Sequence, residues 1–299
     1  MAGIKAVDSS VAHAVEQMKD LRVLDVSRSV FVGSATLLAL AAQRPSRLEV
    51  LHASFTSVTD AGLMAVLPRL EALKCVDFDS CRVGDGLVAL GECRSLVEVR
   101  IGDTMAGNDV AEALSHAAHI QRLDVSFTPL VNDIGLRYIS KIKTLRSLVM
   151  STMDRLSEDG LHQLERLPHL CSLDLGGCRV SDAHCATLSK IDTLRRLDLT
   201  GGEMTHRGVG HLSRLRLVQL SLAHARHIKD DVIPFLARMD SLVKLNVSGC
   251  ALTDRAIKVL SRNLKKLKVL SLADRTLGRE LVVELVHMNA NLEIVGLKN

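Results

Sequence analysis

The chain has 299 residues, of which 47% are apolar and 24% charged, and its formal net charge is +4. This small charge does not favour a polybasic nucleic-acid binder or a membrane-surface protein, and no apolar run approaches the roughly 18 to 20 residues that span a bilayer. Trp is absent and Tyr occurs once, which disfavours a surface that stacks bases. The seven cysteines lack the spacing of a disulfide framework, so a reducing, cytoplasmic location is expected.

The first predicted element is a helix over residues 9–18, whose apolar residues recur at helical spacing. We expect it to cover the N-terminal end of a repeated core, as the terminal units of repeat proteins do. The expected organisation is one domain over residues 1–299, with the capping helix within residues 1–20 and repeats over residues 21–299. The apolar face of the helix comprises Val11, Ala14, Val15 and Met18.

After this helix, one short apolar pattern recurs twelve times at intervals of 23 to 27 residues. Each copy is a leucine-type residue, a second one three positions later and a third two positions after that. A period in the twenties predicts a solenoid, in which each unit buries its apolar face only against neighbouring units. The copies open at Leu21, Leu48, Leu73, Leu96, Ile120, Leu145, Leu170, Leu194, Leu217, Leu242, Leu267 and Leu292.

The unit over residues 170–191 shows how each repeat is built. Leu173 and Leu175 alternate with polar residues, which predicts a short strand with one buried and one exposed face. Ser181 then supplies a helix N-cap and Asp182 an acid beside the positive end of the helix dipole. The same cap signal recurs at Thr59-Asp60, Asn132-Asp133, Ser157-Glu158, Thr205 and Thr253-Asp254.

These strand-turn-helix units predict an α/β horseshoe of about twelve repeats. Parallel strands stand ~4.8 Å apart whereas helices need ~10 Å, so the ribbon bends with the sheet on its concave face and the helices on its convex face. A column of small hydroxyl and thiol residues three positions after each triplet is expected to satisfy backbone groups at the strand ends. It includes Ser29, Thr56, Cys81, Thr104, Thr128, Cys178 and Cys250.

The motifs at residues 58–63, 131–136 and 156–161, together with residues 245–254, resemble the cysteine-containing class of leucine-rich repeats. The class is best known from the substrate-recognition part of F-box proteins, so the resemblance implies a protein-binding repeat domain. An F-box needs roughly forty residues before the repeats, and about twenty precede them here. The resemblance therefore implies a leucine-rich-repeat solenoid without implying a linkage to a ubiquitin ligase within this chain.

Exposed strand positions are expected to form a row that includes five aspartates and suits a basic partner. Asp174 and Asp198 are the sharpest pair, since they lie on adjacent strands without a basic residue between them. The alternative is that Leu-Asp-Leu is a general habit of the repeat, and that Arg122 and Arg196 neutralise their neighbours. Phe55 and Phe127 are the only aromatic residues expected on or beside this face, where they either anchor a partner or fold over the rim. The candidate partner-binding residues are Phe55, Arg100, Arg122, Asp124, Phe127, Asp174, Arg196, Asp198 and Lys244.

The remaining basic residues, cysteines and short motifs do not predict a further site. Basic residues late in the chain, such as Arg262 and Lys265, meet either RNA phosphates or solvent on the convex side. Three cysteines lie seven residues apart without a CxxC pair, so no metal is expected. No phosphate loop or catalytic triad is recognisable, so neither catalysis nor a cofactor is expected. The cysteines are Cys171, Cys178 and Cys185.

The expected function is a non-enzymatic, cytoplasmic scaffold that binds one or more proteins through its concave face, without a small-molecule substrate, a membrane or nucleic acid as partner. One alternative is an adaptor that presents substrates for ubiquitination. Another is an architectural subunit of a large cytoskeletal or ribonucleoprotein assembly. A strand edge at the end of the chain could also template pairing with a partner or a second copy. That edge comprises Leu292, Val295 and Leu297.

Overall fold

The computed structural model describes residues 7–42, 46–153, 155–275, 279–288 and 292–297. The chain divides into two compact units, which are described separately. Unit 1 comprises Met1–Val149 and Arg166–His169, and unit 2 comprises Met150–Glu165 and Leu170–Asn299. The single continuous domain expected from the repeats stays a prediction.

Unit 1 alternates short strands with helices, as the repeat pattern predicts. Its strands all run parallel and pair in chain order, from the first to the sixth. The 3-10 helix Asp85–Glu92 takes the helical position of its repeat, and the 3-10 helix Leu67–Arg69 directly follows an α-helix of the preceding repeat. The other elements are α1 Asp8–Glu16, β1 Val23–Asp25, α2 Ser34–Ala42, β2 Val50–His52, α3 Asp60–Val66, β3 Cys75–Asp77, β4 Glu98–Arg100, α4 Asn108–Leu114, β5 Arg122–Asp124, α5 Asp133–Ile139 and β6 Ser147–Val149.

Unit 2 repeats the same order of elements. Its six strands are also parallel and pair in chain order. The 3-10 helices are Gln163–Arg166, which follows the first α-helix of the unit, and Asp230–Val232. The other elements are α6 Glu158–His162, β7 Ser172–Asp174, α7 Asp182–Leu188, β8 Arg196–Asp198, α8 His206–Leu212, β9 Gln219–Ser221, α9 Ile233–Leu236, β10 Lys244–Asn246, α10 Asp254–Asn263, β11 Val269–Arg275, α11 Arg279–Met288 and β12 Glu293–Leu297.

The core of each unit is a set of stacked aliphatic ladders. In the three-residue strands β1 to β10, the central residue is in register with the central residue of its neighbour within the unit, as in Leu24 with Leu51 in unit 1 and Leu173 with Leu197 in unit 2. These side chains are at most 4% exposed, because alternate residues of a strand point to the same side. The apolar triplets of the sequence therefore form the buried face of the sheet.

The N-terminal helix α1 lies where the sequence predicts a helix, and it packs against α2. Val11 and Val15 are buried, as expected. Met18 was expected on the same face, but it lies beyond the end of α1 and is 40% exposed.

The predicted helix caps are confirmed. The side chains of Thr59, Asn132, Ser157, Ser181 and Thr253 each accept a hydrogen bond from a backbone N–H in the first turn of the helix that follows. Such a bond satisfies one of the donors that a helix leaves unpaired at its start. The Ser/Thr/Asn-Asp signal therefore positions every helix that carries it.

The hydroxyls and thiols after the strands bond the backbone in two different ways. Thr56 Oγ1 donates to Ala53 O within its own turn at 2.6 Å. Cys81 Sγ reaches back to the same Ala53 O, in the preceding repeat, at 3.1 Å. Cys250 Sγ likewise donates to Leu222 O at 3.0 Å. The threonines thus close single turns, whereas the thiols join neighbouring repeats.

Candidate functional site

The third residue of each strand from β1 to β11 forms one row on the exposed side of the sheet in each unit, because these residues pair in register. We call it the strand-end row. Unit 1 contributes Asp25, His52, Asp77, Arg100, Asp124 and Val149, and unit 2 contributes Asp174, Asp198, Ser221, Asn246 and Ser271.

The aspartates of this row terminate their strands. Asp174 Oδ1 accepts the N–H of Gly176 at 2.8 Å, and Asp198 Oδ1 accepts the N–H of Thr200 at 2.8 Å. Asn246 makes the same bond to Ser248 without carrying a charge. This local bond, typical of Asx turns, accounts for the recurrence of Leu-Asp-Leu without a partner. It favours the structural alternative for the acidic row, although Asp174 and Asp198 do lie on adjacent strands.

The sequence suggested that Arg122 and Arg196 neutralise neighbouring aspartates, but in the structure both arginines contact other groups. Arg122 Nε donates to Glu98 Oε2 at 2.7 Å, and Arg100 Nε donates to Glu98 Oε1 at 3.0 Å. Burial raises the pKa of Glu98, but its hydrogen bonds and the charges of both arginines outweigh burial and lower it. Arg196 Nε donates to Ser172 Oγ at 3.3 Å. Arg122 and Arg196 thus do not pair with Asp124 and Asp198.

A second row lies three residues after the end of each strand from β1 to β10, and we call it the loop row. Every member has a positive φ, between 52° and 75°, a conformation that costs residues other than glycine free energy. In unit 1 the loop row is Arg28, Phe55, Ser80, Asp103 and Phe127, and in unit 2 it is Thr152, Gly177, Gly201, His224 and Gly249. The three glycines of unit 2 were the sequence signal that could have revealed this backbone requirement.

Phe55 and Phe127 are held in the loop row with their side chains largely in solvent. Their exposed fractions are 48% and 53%, and their φ angles are 55° and 54°. A bulky side chain in this conformation is uncommon. The two phenylalanines therefore combine an unfavourable backbone with an unburied ring, which packing alone does not explain.

Other exposed apolar side chains lie in the strand-to-helix loops of unit 1. Phe31 is 60% exposed in the loop after β1, so the expectation that Phe55 and Phe127 are the only aromatic residues near this edge is wrong. Within the described part of unit 2, the large exposed apolar residues are instead Val218, Val283 and Val295, none of which lies in a strand-to-helix loop. The exposed large apolar residues in the strand-to-helix loops of unit 1 are Val30, Phe31, Phe55, Met105, Phe127 and Leu130.

Polar groups lie between the two phenylalanines. Ser80 Oγ donates to Asp103 Oδ2 at 2.8 Å. Beneath them, Asp79 Oδ1 accepts the N–H of Gly102 at 2.6 Å. Burial, with the nearby charge of Asp77, raises the pKa of Asp79 to about 6. Sequence reasoning named these acids only as part of the acidic first half of the chain, because their proximity depends on the register of three strands.

Unit 2 offers a different surface. Lys244 is exposed at the start of β10, and Arg196 is exposed at the start of β8. A cavity of about 40 Å³ has room for only a few water molecules, so it does not suit an organic ligand. It is lined by Met153, Leu156, Leu161, Leu175, Cys178, Arg179, Val180 and His184.

The late basic residues accompany helix ends. Arg214 and Arg238 each lie two residues after the last residue of a helix, and Arg262 lies in the last turn of α10. Cations at these positions interact favourably with the helix dipole. Lys258 forms an ion pair with Glu284. These contacts favour a structural role for the basic residues.

Among the described residues, no group of three potential metal ligands lies close together, and no helix is long and apolar enough to cross a membrane. All seven cysteines are described, and none forms a disulfide. Burial raises the pKa of the thiols of Cys93 and Cys185 to about 12.

No family model matches the chain. Two solved structures from Listeria monocytogenes are similar to it. An internalin, InlF, aligns over 100% of this chain and 86% of its own, with 16% identity and a TM-score of 0.63. Internalin C2 aligns over 89% of this chain and 93% of its own, with 19% identity and a TM-score of 0.51. Together with the parallel strands and intervening helices, these similarities show that the chain has the fold of a leucine-rich-repeat solenoid.

Proposed function

We propose that the chain is a non-enzymatic scaffold that binds a protein partner at the carboxyl ends of its strands. The observation that carries this proposal is the exposure of Phe55 and Phe127 at positive φ. Interfaces concentrate their binding energy in a few anchors, often aromatic ones, surrounded by near-neutral contacts. An exposed ring kept on an unfavourable backbone supports such a role.

The surrounding surface supports a protein partner over a small molecule. The exposed strand positions present a shallow ladder of side chains, and a ligand pocket is instead concave and encloses most of its ligand. Arg100 and Asp124 in unit 1, and Asp174 and Asp198 in unit 2, end their strands and would contribute polar contacts at the rim. Arg122, Arg196 and Lys244 begin their strands and would extend the contact surface across the exposed side of the sheet.

A contact at the strand β12 is a separate part of the proposal. Leu292 is buried before the strand, and Val295 is 41% exposed within it. The strand pairs with β11, and an unpaired edge would template pairing with another chain. Leu297 is the last residue of β12. Removal of residues 290–299 should abolish association at this edge, and unchanged association would exclude it.

An adaptor role in ubiquitination is a second candidate, because three thiols bond the backbone of the preceding repeat in the column typical of the cysteine-containing repeat class. An architectural role in a large assembly is a third. We propose a cytoplasmic location for all three roles, since the seven cysteines are thiols.

One affinity purification tests these roles. The tagged full chain, a Phe55→Gly/Phe127→Gly variant and a His224→Gly variant would be compared by quantitative mass spectrometry. His224 is exposed at the same loop position in unit 2, so its substitution controls for the backbone change. We expect the double variant to lose partners that both other proteins retain. Identical partner sets for all three proteins would refute the proposal.

The identity of the partners then separates the candidates. Recovery of ubiquitin-ligase subunits supports the adaptor role. Salt-resistant co-sedimentation with one particle supports the architectural role. An exchangeable partner on a soluble, monomeric chain supports the transient scaffold.

A further inference from the structure

The loop row of unit 1 has a regular spacing that constrains its partner. The N–H of Phe55 donates to Asp79 O at 3.0 Å, that of Ser80 to Gly102 O at 2.9 Å, and that of Asp103 to Ser126 O at 2.8 Å. The backbone ladder therefore continues beyond the strands to this row. Neighbouring positions in the row are thus ~4.8 Å apart, the spacing of hydrogen-bonded strands, and the two phenylalanines are about 14 Å apart.

The loop row of unit 1 begins with the exposed Arg28, and from Phe55 to Phe127 the order of its residues is apolar, polar, acidic, apolar. Phe55 and Phe127 flank the hydrogen-bonded pair of Ser80 and Asp103. Asp103 is exposed. The guanidinium of Arg100 is engaged by Glu98, so it does not supply the counter-charge of Asp103. Arg82, in the same loop as Ser80, is a further exposed cation of this edge.

An extended peptide matches this spacing. Residues i, i+2 and i+4 of a strand point to one side, and they span about 14 Å at ~3.4 Å per residue. Two apolar side chains at i and i+4 would meet the two phenylalanines. The residue at i+2 would then lie opposite Ser80 and Asp103, where a cation can donate to the carboxylate.

We propose that the loop row of unit 1 binds an extended protein segment in which two apolar side chains flank an arginine or lysine, in the order apolar-x-basic-x-apolar. This inference rests on the proposed function and names the chemistry of the partner. Phe31, Met105 and Leu130 are exposed in strand-to-helix loops of the same unit and would widen this surface. An apolar surface with an acidic centre is complementary to a segment of this kind.

Three synthetic peptides test the inference against the full chain by fluorescence anisotropy. Their central sequences are Leu-Ser-Arg-Ser-Leu, Leu-Ser-Glu-Ser-Leu and Ser-Ser-Arg-Ser-Ser, each with the same Gly-Ser flanks. We expect the first peptide to bind at least tenfold more tightly than the other two. Equal affinity for all three would overturn the inference.

Variants locate the binding surface. Phe55→Gly/Phe127→Gly should weaken the first peptide at least tenfold, whereas His224→Gly should leave its affinity unchanged. Asp103→Asn should remove the preference for the arginine peptide over the glutamate peptide. Asp103→Lys, on an exposed residue that does not depend on either phenylalanine, should invert that preference. Circular dichroism and thermal unfolding establish that each variant is folded, and Asp103→Lys keeps the test decisive if the double glycine variant is not.

Failure of this inference can be distinguished from failure of the proposed scaffold function. If the peptides show no preference while the double variant still loses its partners in the affinity purification, the inference falls and the scaffold role stands. If the partners are also retained, both fall. Tight binding of the arginine peptide that is insensitive to every loop-row variant places binding elsewhere and overturns the inference.

Discussion

Asp60 Oδ1 accepts the backbone N–H of Gly86 at 2.9 Å, although the two residues belong to successive repeats. Asp60 is the first residue of α3, and Gly86 lies in the helical segment of the following repeat. The sequence suggests only that such an acid stabilises its own helix dipole. Asp182 makes the equivalent bond to Gly208 at 2.8 Å. The acid after the cap therefore joins the helix starts of neighbouring repeats.

This close approach explains the glycine at Gly86. A Cβ atom there would lie 2.4 Å from Cα of Asp60, and backbone cannot move aside as a flexible side chain can. We expect Gly86→Ala to lower the free energy of unfolding by about 2–4 kcal/mol, as overpacking and loss of the Asp60 bonds combine. Urea denaturation measures the change. Val88→Ala, at an exposed position of the same segment, is the control and should cost less than about 1 kcal/mol.

Asp182 should make unit 2 sensitive to acid. Burial raises the pKa of Asp182, but hydrogen bonds from Thr205 and Gly208 outweigh burial and lower it below the 3.8 that is usual for an aspartate. Its stabilisation is therefore present above pH 3.8 and is lost as the pH falls through the lower pKa of the folded state. Asp182→Ala should remove about 1–3 kcal/mol at pH 7 and much less at pH 2. An equal loss at both pH values, in urea titrations of variant and wild type, would contradict this assignment.

The carboxyl of Asp79 should make stability depend on pH in the opposite direction. Burial raises the pKa of its carboxyl to about 6, so the folded state binds the proton more tightly than the unfolded state. Stability from this group is greatest below pH 3.8 and declines as the pH rises to about 6. The amide of Asp79→Asn can still accept the N–H of Gly102. This substitution should raise the free energy of unfolding by about 1 kcal/mol at pH 7.5, a small gain because solvent screens the partly exposed carboxyl. At pH 3.5 the two proteins should unfold at the same urea concentration.

Substitution of Thr152 by glycine should stabilise the protein. It is exposed, and its φ of 56° is unfavourable for a β-branched residue. Three other repeats place glycine at this position. Thr152→Gly should raise the free energy of unfolding by about 0.5–1 kcal/mol, because the relieved backbone outweighs the larger entropy of the unfolded glycine. A lower melting temperature, by calorimetry, would show that the side chain contributes more than its backbone costs.

The cysteines should differ in reactivity with a thiol reagent such as 5,5′-dithiobis(2-nitrobenzoate). Burial raises the pKa of Cys93 and Cys185 to about 12 and that of Cys250 to about 11, and the thiolate is the reactive species. Cys75 and Cys171 are only half-buried. We expect these two to react first in the native state and Cys93 and Cys185 to react only on unfolding. Mass mapping of the labelled peptides gives the order.

Much of the fold could be predicted from the sequence because the same local strand and helix signals recur in each repeat. The alternation around Leu173 predicts the strand, and Ser181 predicts the helix start, since both depend on residues close in the chain. Contacts between repeats are less visible. That Arg122 contacts Glu98, and not Asp124, depends on side-chain orientation across adjacent strands.

The candidate site was predicted only in part. The sequence identified Phe55 and Phe127 as anchors, but their positive φ and the position of Asp103 between them require the register of four strands. The glycines at Gly177, Gly201 and Gly249 carried that information in their shared spacing. The binding role of these residues stays a prediction.

The carboxylates of Asp60, Asp182 and Asp230 all accept bonds from the repeat that follows them in the chain. Each such acceptor is synthesised before the donors it will hold. A repeat leaving the ribosome therefore finds a docking point already in place, and growth from the N-terminal side satisfies each new helix as it forms. A circular permutant that separates residue 60 from residues 84–86 would reverse this order, and a lower folded yield of the permutant during synthesis, at an equal refolding yield from urea, would measure the benefit of vectorial assembly.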